Sequence, residues 1–310
     1  MEKAASPRRE HPAGAVFGAW SAPDGWALRR MDWPHGGRGK ARGSLILANG
    51  RGDFIEKYLE ACAHWHDRGW NVTSFDWRGQ GGSRGAGYDC RSFDGLVDDL
   101  AALLSDWRSG NPGPHVAIGH SMGGHLLLRA LVERKPDLDA AILVAPMIAV
   151  NSAPTPAWLA PAVANAMCRL GLGPAPMWKT PQAMLRPGAQ RQRNLTGSRA
   201  RYEDEAWWWG REPGWNLGAP TWAWLCAAFR SAASWFTAER LAEIRLPVLL
   251  LAAARDRLVS TKEIARAARQ LPCAELEIFP DAAHEILREA DPVRGAALAR
   301  IDAFLDAHAR

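Results

Sequence analysis

From Gly43 onward the sequence alternates short apolar runs with longer amphipathic segments. The apolar runs are nearly continuous, and they read GSLILANG, WNVTSFDW, HVAIGHS and DAAILVAP. Strands of this kind are typical of a parallel sheet whose two faces are both covered by helices. The segments between them, such as FIEKYLEACAHWHDRG and SFDGLVDDLAALLSDWRS, are long enough to be those helices. The pattern therefore predicts an α/β protein with a mostly parallel, doubly wound sheet.

Two departures from this alternation predict the rest of the organisation. Upstream, AVFGAWSAPDGWALRRMDWPH has a Pro-Asp-Gly turn between two aromatic-rich segments, which predicts an antiparallel hairpin at the sheet edge. Between residues 150 and 243 the alternation stops and short helical patterns rich in Pro and Trp replace it, before LPVLLLAAA and AELEIFP restore it. We therefore expect a polar tail over 1–13, a core over 14–149 and 244–310, and a Trp-rich helical lid inserted at 150–243.

The composition argues against several classes of protein. A chain of 310 residues with 47% hydrophobic and 23% charged residues is ordinary for a globular protein, and its net charge of +5 gives little support to nucleic-acid binding. No run approaches the roughly 18 apolar residues of a membrane span, and the first residues lack the apolar core of a secretory signal. The five cysteines include no C-x-x-C pair. We expect a cytoplasmic protein that needs no metal and no cofactor.

One serine stands at a sharp predicted turn. In HVAIGHSMGGHLLL, Ser121 follows a short apolar run and precedes a helical segment, with Gly119 and Gly123 two residues to either side. Glycine at these positions allows a tight strand-to-helix turn, because a side chain there would collide with the neighbouring elements. The turn pushes the hydroxyl outward beside the backbone N–H of Met122 at the start of the helix. This G-x-S-x-G pattern predicts a nucleophilic serine.

A serine hydroxyl needs an imidazole base, a carboxylate that orients it, and donors for an oxyanion. Three histidines follow Ser121: His125 lies on the helix directly behind it, His308 lies at the C-terminus, and His284 lies in the loop FPDAAHEIL after the last strand. His284 is therefore the predicted base. For the oxyanion we expect the backbone amides of Met122 and of Arg51, which lies in the glycine-rich loop after GSLILANG.

These motifs resemble a known family. The chain is similar to the α/β-hydrolase superfamily, in particular to the serine hydrolases that include monoacylglycerol lipases and bacterial lysophospholipases of the inner-membrane L2 type. The resemblance covers nearly the whole chain and rests on these segments: ANGRGDFIEKY, FDWRGQGGS, GHSMGG, VAPM, ARDRLVS, DAAHEIL, RNLTGSRARY and LGAPTWAWL. One departure is Asn49-Gly50, where the family often has His-Gly; a role carried by backbone amides survives that change.

The resemblance also implies where the acid lies. In this fold the carboxylate follows either the sixth or the seventh strand. The loop after DAAILVAP contains no acid, whereas the loop after LPVLLLAAA contains Asp256. Asp281 is the rival, but it shares the short loop of His284, where turn formation is the commoner use of Asp. We predict Ser121, Asp256 and His284 as the catalytic residues.

The predicted lid gives the expectations about substrate. Nine of the sixteen tryptophans fall in it, and we expect most to form its own core and some to line an acyl-chain tunnel or lie at a lipid interface. Residues 180–202 contain five arginines and no acid. They form either a solvated basic face or a contact with an anionic membrane or lysophospholipid phosphate. The arginines are Arg186, Arg191, Arg193, Arg199 and Arg201. Of these, Arg191, Arg193 and Arg199 are the predicted contacts.

The resemblance implies an ester hydrolase for single-chain lipids, lysophospholipid or monoacylglycerol; if the arginines contact anionic lipid, we expect the protein to bind at the inner-membrane surface. A second interpretation is an aminopeptidase of the proline-iminopeptidase kind, in which lid carboxylates such as Glu203, Asp204 and Glu205 would hold a free amine. The third is a non-catalytic scaffold used only for binding. The complete order of serine, acid and histidine argues against this third interpretation.

Overall fold

A single twisted sheet organises the chain. The computed structural model describes residues 7–37, 39–85, 92–178 and 187–309. Within these residues, eight strands pair in the order β1-β2-β4-β3-β5-β6-β7-β8. The strands are β1 Val16–Ser21, β2 Ala27–Trp33, β3 Ser44–Ala48, β4 Asn71–Phe75, β5 His115–His120, β6 Ala140–Val144, β7 Val248–Ala253 and β8 Ala274–Phe279.

The pairing confirms the predicted hairpin and the predicted parallel sheet. β1 and β2 are antiparallel, with Val16 opposite Asp32, and β2 is antiparallel to β4. Every other neighbouring pair is parallel. All residues of β3, β6 and β7 are buried. Burial on both faces is the reason these strands read as continuous apolar runs.

Helices cover both faces of the sheet. In the described residues they are α1 Leu59–His66, α2 Asp94–Gly110, α3 Met122–Glu133, α4 Ala160–Met167, α5 Gln190–Leu195, α6 Arg199–Arg211, α7 Trp222–Trp235, α8 Ala238–Leu241, α9 Thr261–Gln270 and α10 Asp291–His308. One core contains Ile46 of β3 together with residues of α2, α3 and α9. The other contains Leu45 and Leu47 of the same strand together with residues of α1 and α10. Alternate residues of one strand therefore face two separate helical layers, as expected for a doubly wound sheet.

The helices α4 to α8 form an insert between β6 and β7. It is attached to the core by ion pairs as well as by apolar packing. Arg201 of α6 binds Glu60 of α1 and Asp291 of α10, with nitrogen–oxygen distances of 2.6 Å in both pairs. Arg8 and Arg9, in the predicted N-terminal tail, bind Asp204 of α6 at 2.5 and 2.6 Å. Part of the predicted tail is thus packed against the insert.

Candidate active site

Ser121 occupies a strained turn between β5 and α3. Its backbone dihedral angles are φ 51° and ψ −113°. A residue with a side chain rarely adopts this conformation, and it persists only where the surrounding structure holds the turn in place. A Cβ atom at Gly123 would lie 2.2 Å from the carbonyl oxygen of Ala48, and one at Gly119 would lie 2.7 Å from Cα of Gly124. Both glycines are therefore required for β3, β5 and α3 to approach this closely, and the approach leaves the serine at the tip of the turn.

The three residues predicted for catalysis form one hydrogen-bonded chain. Oγ of Ser121 lies 2.9 Å from Nε2 of His284, and Nδ1 of His284 lies 2.6 Å from Oδ2 of Asp256. The other carboxylate oxygen of Asp256 accepts hydrogen bonds from the amides of Leu258 and Val259, at 2.7 and 3.0 Å. An acceptor-only carboxylate at Nδ1 favours the tautomer that presents an unprotonated Nε2 to the serine.

The electrostatics of this chain suit proton transfer. Burial raises the pKa of Asp256, but the attraction and hydrogen bond of His284 and the two loop amides outweigh burial and hold that pKa below its usual value. Burial lowers the pKa of His284, whereas Asp256, Glu285 and Asp53 raise it, and the net result is a pKa above the ordinary histidine value. The imidazole is therefore a stronger base than a free histidine.

The rival residues lie elsewhere. Asp281 pairs with Arg255 at the surface, where both side chains are about two-thirds exposed. His125 is buried, with its ring nitrogens 2.8 Å from the carbonyl oxygen of Met147 and 2.7 Å from Oγ of Ser231, and burial lowers its pKa to about 4. His125 is therefore a neutral structural residue.

The loop predicted to supply the second oxyanion amide is held from both sides. The amide of Gly50 donates to Oδ2 of Asp53 at 2.9 Å, and the amide of Gly52 donates to Oε1 of Gln80 at 2.5 Å. The amide of Arg51 lies between these two anchored groups. Met122 is the first residue of α3, a position whose N–H has no acceptor within the helix. These two amides remain the predicted oxyanion donors.

A buried charge cluster next to His284 escaped the sequence analysis. Lys57 is its centre: Nζ contacts Oδ1 of Asp53 at 2.5 Å, Oε1 of Glu285 at 2.9 Å and Oε1 of Glu205 at 3.0 Å. We define the charge cluster by the following residues: Asp53, Lys57, Arg191, Glu205, Glu285 and Arg288. It holds three cations and three anions. The one local signal was the spacing of four residues between Asp53 and Lys57, at the start of a predicted helix.

The charge cluster also contacts the residue that precedes the serine. Oδ2 of Asp53 accepts a hydrogen bond from the hydroxyl of Tyr58 at 3.0 Å and lies 3.3 Å from Nδ1 of His120, which precedes Ser121. The cluster thus joins four parts of the chain: the loop of Arg51, the turn that carries the serine, the loop of His284 and helix α6 of the insert. His120 also lines the cavity described below, beside Ser121.

The arginines predicted as one basic surface are separated in the structure. Arg191 belongs to the charge cluster and binds Glu205 through both terminal nitrogens, at 2.9 and 3.1 Å. Arg193 and Arg199 are exposed, and Arg199 binds Glu203 one turn along α6 at 2.7 Å. The acids that neutralise this stretch come from outside it, so its lack of carboxylates does not make it a uniform basic face. Arg186, also predicted there, lies outside the described residues.

A cavity of about 1110 Å³ opens over Ser121 and His284. Most of its wall comes from the insert, and that wall is largely apolar. The apolar residues include Val163, Met177, Trp178, Leu217, Trp222, Trp224, Leu225 and Phe229. Five residues of the charge cluster also line the cavity: Asp53, Lys57, Arg191, Glu205 and Glu285. The lining therefore combines apolar and charged side chains beside Ser121 and His284.

The described residues contain no group of three or more His, Cys, Asp or Glu side chains arranged to hold a metal ion. In the same part of the chain, no helix is both long enough and apolar enough to cross a membrane.

A mostly parallel sheet in this strand order, with a serine on a strained turn after β5, defines the α/β-hydrolase class and confirms the predicted fold. The chain belongs to the Hydrolase_4 family, described as serine aminopeptidase, S33, whose model matches residues 39–291.

Relatives with assigned activities support the same family. The chain is 26% identical to a probable lysophospholipase L2 of Haemophilus influenzae over 84% of this chain and 83% of the relative, and 27% identical to lysophospholipase L2 of Escherichia coli over 85% and 80%. Among solved structures, a soluble variant of monoglyceride lipase from Saccharomyces cerevisiae superposes with a TM-score of 0.75, at 20% identity over 99% of this chain and 100% of that one. The predicted resemblance is thereby confirmed.

Proposed function

We propose that this chain hydrolyses the carboxylic esters of single-chain lipids, lysophospholipids or monoacylglycerols, through an acyl-enzyme on Ser121. The observation that carries the proposal is the hydrogen-bonded chain from Ser121 through His284 to Asp256, at the base of a cavity with an apolar wall. The relatives whose names specify lysophospholipase and monoacylglycerol lipase activities support an ester as the substrate.

The reaction proceeds in two halves. Nε2 of His284 takes the hydroxyl proton as Oγ of Ser121 attacks the ester carbonyl carbon, and Asp256 stabilises the imidazolium. The amides of Met122 and Arg51 bind the oxyanion. Collapse of this intermediate expels the alcohol, which takes the proton from Nε2 and leaves the acyl group on Oγ. A water molecule, deprotonated by His284, then attacks the acyl carbon and releases the fatty acid, and the proton returns to Oγ.

The shape of the cavity supports a substrate with one chain and a polar end. Ligand pockets of about 300–1,000 Å³ enclose drug-sized molecules, so a space of about 1110 Å³ is sufficient for one acyl chain and a head group. The apolar wall of the insert suits the chain. The charged part of the lining suits a polar head group such as glycerol; Arg191, the head-group contact predicted from the sequence, already binds Glu205 through both terminal nitrogens.

The aminopeptidase alternative needs a carboxylate that is available for the amine of the substrate. The three candidates in the insert are already paired: Glu203 with Arg199, Asp204 with Arg8 and Arg9, and Glu205 with Arg191 and Lys57. To bind an amine, Asp204 or Glu205 would have to give up ion pairs that attach α6 to Arg8, Arg9 and Lys57. We therefore favour the ester.

The proposal includes peripheral contact with a membrane surface. In the described residues, five of the seven exposed large apolar side chains lie between Trp158 and Trp178, including Trp158 at 80%, Leu170 at 74% and Trp178 at 51% exposure. From Val150 to Trp178 the sequence contains one arginine and no acid. An exposed tryptophan-bearing surface with little charge suits a lipid interface. Val163 and Trp178 also line the cavity, so substrate could enter from that surface.

The decisive experiment compares the wild type with Ser121→Ala and with the control Ser109→Ala. Ser109 is exposed, and its hydroxyl donates a hydrogen bond to the carbonyl oxygen of Asp106. The proteins are treated with a fluorophosphonate and assayed on lysophosphatidylethanolamine, lysophosphatidylcholine, monoolein, a p-nitrophenyl ester and an aminoacyl anilide. We expect Ser121→Ala alone to lose labelling and about 10⁴-fold or more of the ester turnover. Cleavage of the anilide without cleavage of any ester would favour the aminopeptidase. Unchanged labelling of the Ser121→Ala variant would exclude Ser121 as the nucleophile.

A further inference from the structure

The side chain of Arg51 joins the oxyanion loop to the insert. Nη1 donates to the carbonyl oxygen of Gly218 at 3.0 Å, and Nη2 donates to that of Ala219 at 2.9 Å. The guanidinium carbon also lies 5.3 Å from the ring centre of Trp224 in α7. Two adjacent carbonyls and one ring of the insert therefore bind a side chain whose own backbone amide is a predicted oxyanion donor.

We propose that Arg51 is a positioning residue: its guanidinium uses the insert as an anchor to hold its own amide in the geometry that binds the oxyanion. The inference rests on the proposed function, since it requires an oxyanion to form at Ser121. It assigns the side chain of Arg51 no contact with the reacting atoms.

The loop itself supplies only part of the required rigidity. Gly50 and Gly52 flank Arg51, and Gly52 has a φ of +74°, so glycine backbone freedom adjoins the donor on both sides. The amides of the two glycines are bonded to side chains of the core, which fixes the ends of the loop. The orientation of the peptide between them depends on what holds residue 51, and its side chain is held by the insert.

The anchor in the insert is well defined. Gly218 and Ala219 precede α7, whose N-cap Thr221 accepts a hydrogen bond from the amide of Trp224 at 3.2 Å. The carbonyl of Pro220 accepts a hydrogen bond from the amide of Met177 at 2.9 Å. The anchoring loop is thus tied both to the N-terminus of α7 and to the end of the exposed apolar segment 158–178.

A mechanical connection follows from these contacts. The exposed apolar segment contacts the anchoring loop, the loop binds the guanidinium of Arg51, and the guanidinium fixes the amide. A displacement of the insert would therefore disturb the oxyanion donor as well as the wall of the cavity. A planar guanidinium can reach two adjacent carbonyls at once, whereas the single ammonium of a lysine presents a point charge.

The test compares Arg51→Met and Arg51→Lys with the control Arg42→Met. Arg42 also lies over a tryptophan, Trp70, at 4.8 Å, and binds Asp306 at 2.7 Å on the other side of the molecule. The measurements are kcat and KM on a water-soluble p-nitrophenyl ester, the rate of fluorophosphonate inactivation, the Ki of an alkylboronic acid that forms a tetrahedral adduct with serine, and the melting temperature.

For Arg51→Met we expect kcat to fall about 10- to 100-fold, because loss of one oxyanion donor costs about 10²–10³-fold and a misplaced donor costs part of that. The rate of inactivation should fall and the boronate Ki should rise in proportion, while KM changes less than about threefold. Arg51→Lys should recover little, and Arg42→Met should match the wild type.

Unchanged kcat in Arg51→Met overturns the inference. So does a higher KM with normal kcat and normal boronate binding, which would make the guanidinium a substrate contact. A lower melting temperature with normal kcat at a temperature where the variant is folded would assign a purely structural role and also overturns it. If Arg51→Met does not fold, the same criteria apply to Arg51→Lys. Failure of the proposed function is distinguishable, because the wild type itself would then lack ester turnover and labelling.

Discussion

Replacement of Lys57 by methionine should test how the charge cluster contributes to stability. Nζ of Lys57 contacts three carboxylates within 3.0 Å, and its side chain is only 2% exposed. Burial lowers the pKa of Lys57, but Asp53, Glu205 and Glu285 outweigh burial and keep the ammonium charged. Methionine retains most of the volume of the lysine stem, so the change removes charge and creates little cavity.

The size of the stability loss follows from the ion pairs that remain after Lys57 is replaced. Glu205 keeps Arg191 and Glu285 keeps Arg288, whereas Asp53 is left with the hydroxyl of Tyr58 and the imidazole of His120. Breaking a buried ion pair by removing one partner costs about 3–5 kcal/mol. A chain of 310 residues has an unfolding entropy of about 0.65 kcal/mol/K, so the melting temperature should fall by roughly 5–8 °C.

The pH dependence of the stability loss identifies its cause. Burial raises the pKa of Asp53, and in the wild type Lys57 and His120 outweigh burial and hold that pKa well below its usual value. This stabilisation is present above the unfolded pKa of about 3.9 and is lost only in stronger acid. In Lys57→Met the folded pKa of Asp53 should lie above the unfolded one, so the variant gains stability as the pH falls from 7 to 5. The difference from the wild type should therefore shrink over that range.

Urea denaturation at pH 5, 6 and 7 measures this difference. The matched control is Lys135→Met, whose ammonium binds Glu243 at 3.0 Å with 67% of its side chain exposed and should cost well under about 1 kcal/mol. A Lys57→Met variant that is as stable as this control would refute the reasoning. A large loss of stability that stays constant between pH 5 and 7 would assign the effect to packing, and would also refute the electrostatic reasoning.

Three further outcomes are expected. Asp256→Asn should lower kcat about 10⁴-fold with little change in KM, whereas Asp281→Asn, at an exposed ion pair, should change kcat less than about twofold; the reverse order would exclude Asp256 as the acid. The raised pKa of His284 places the acid limb of the kcat/KM profile above pH 6.5, because the base must be neutral, and a midpoint below that value would contradict the electrostatics described for it. Trp158→Ser should weaken sedimentation with anionic vesicles about 3- to 10-fold relative to Val16→Ser, a similarly exposed residue on β1, and equal binding would argue against the proposed membrane surface.

The sequence predicts best where local patterns determine the structure. The apolar runs predict β3 to β7 because strands buried on both faces have no alternation to obscure them. The turn at Ser121 is predictable because steric limits at Gly119 and Gly123 leave few alternatives to glycine. The observed sheet confirms the predicted fold, and the family model and the relatives confirm the resemblance.

Contacts between distant segments were not predictable from one sequence. Lys57 binds carboxylates 148 and 228 residues away, and nothing near it in the chain indicates either partner. The same limit applies to Arg191, whose neighbours in sequence are basic but whose partner Glu205 lies on another helix. Net charge along a segment therefore said little about the charge of the surface it forms.

The backbone contact between the insert and the loop of His284 limits how the molecule could be re-engineered. The amide of Glu285 donates to the carbonyl of Leu195 at 2.7 Å, and Oγ1 of Thr196 donates to the carbonyl of Arg288 at the same distance. A chimaera in which a foreign insert replaced this one would lose both contacts with the loop of His284, so an exchange must leave residues 194–196, within the insert, in place.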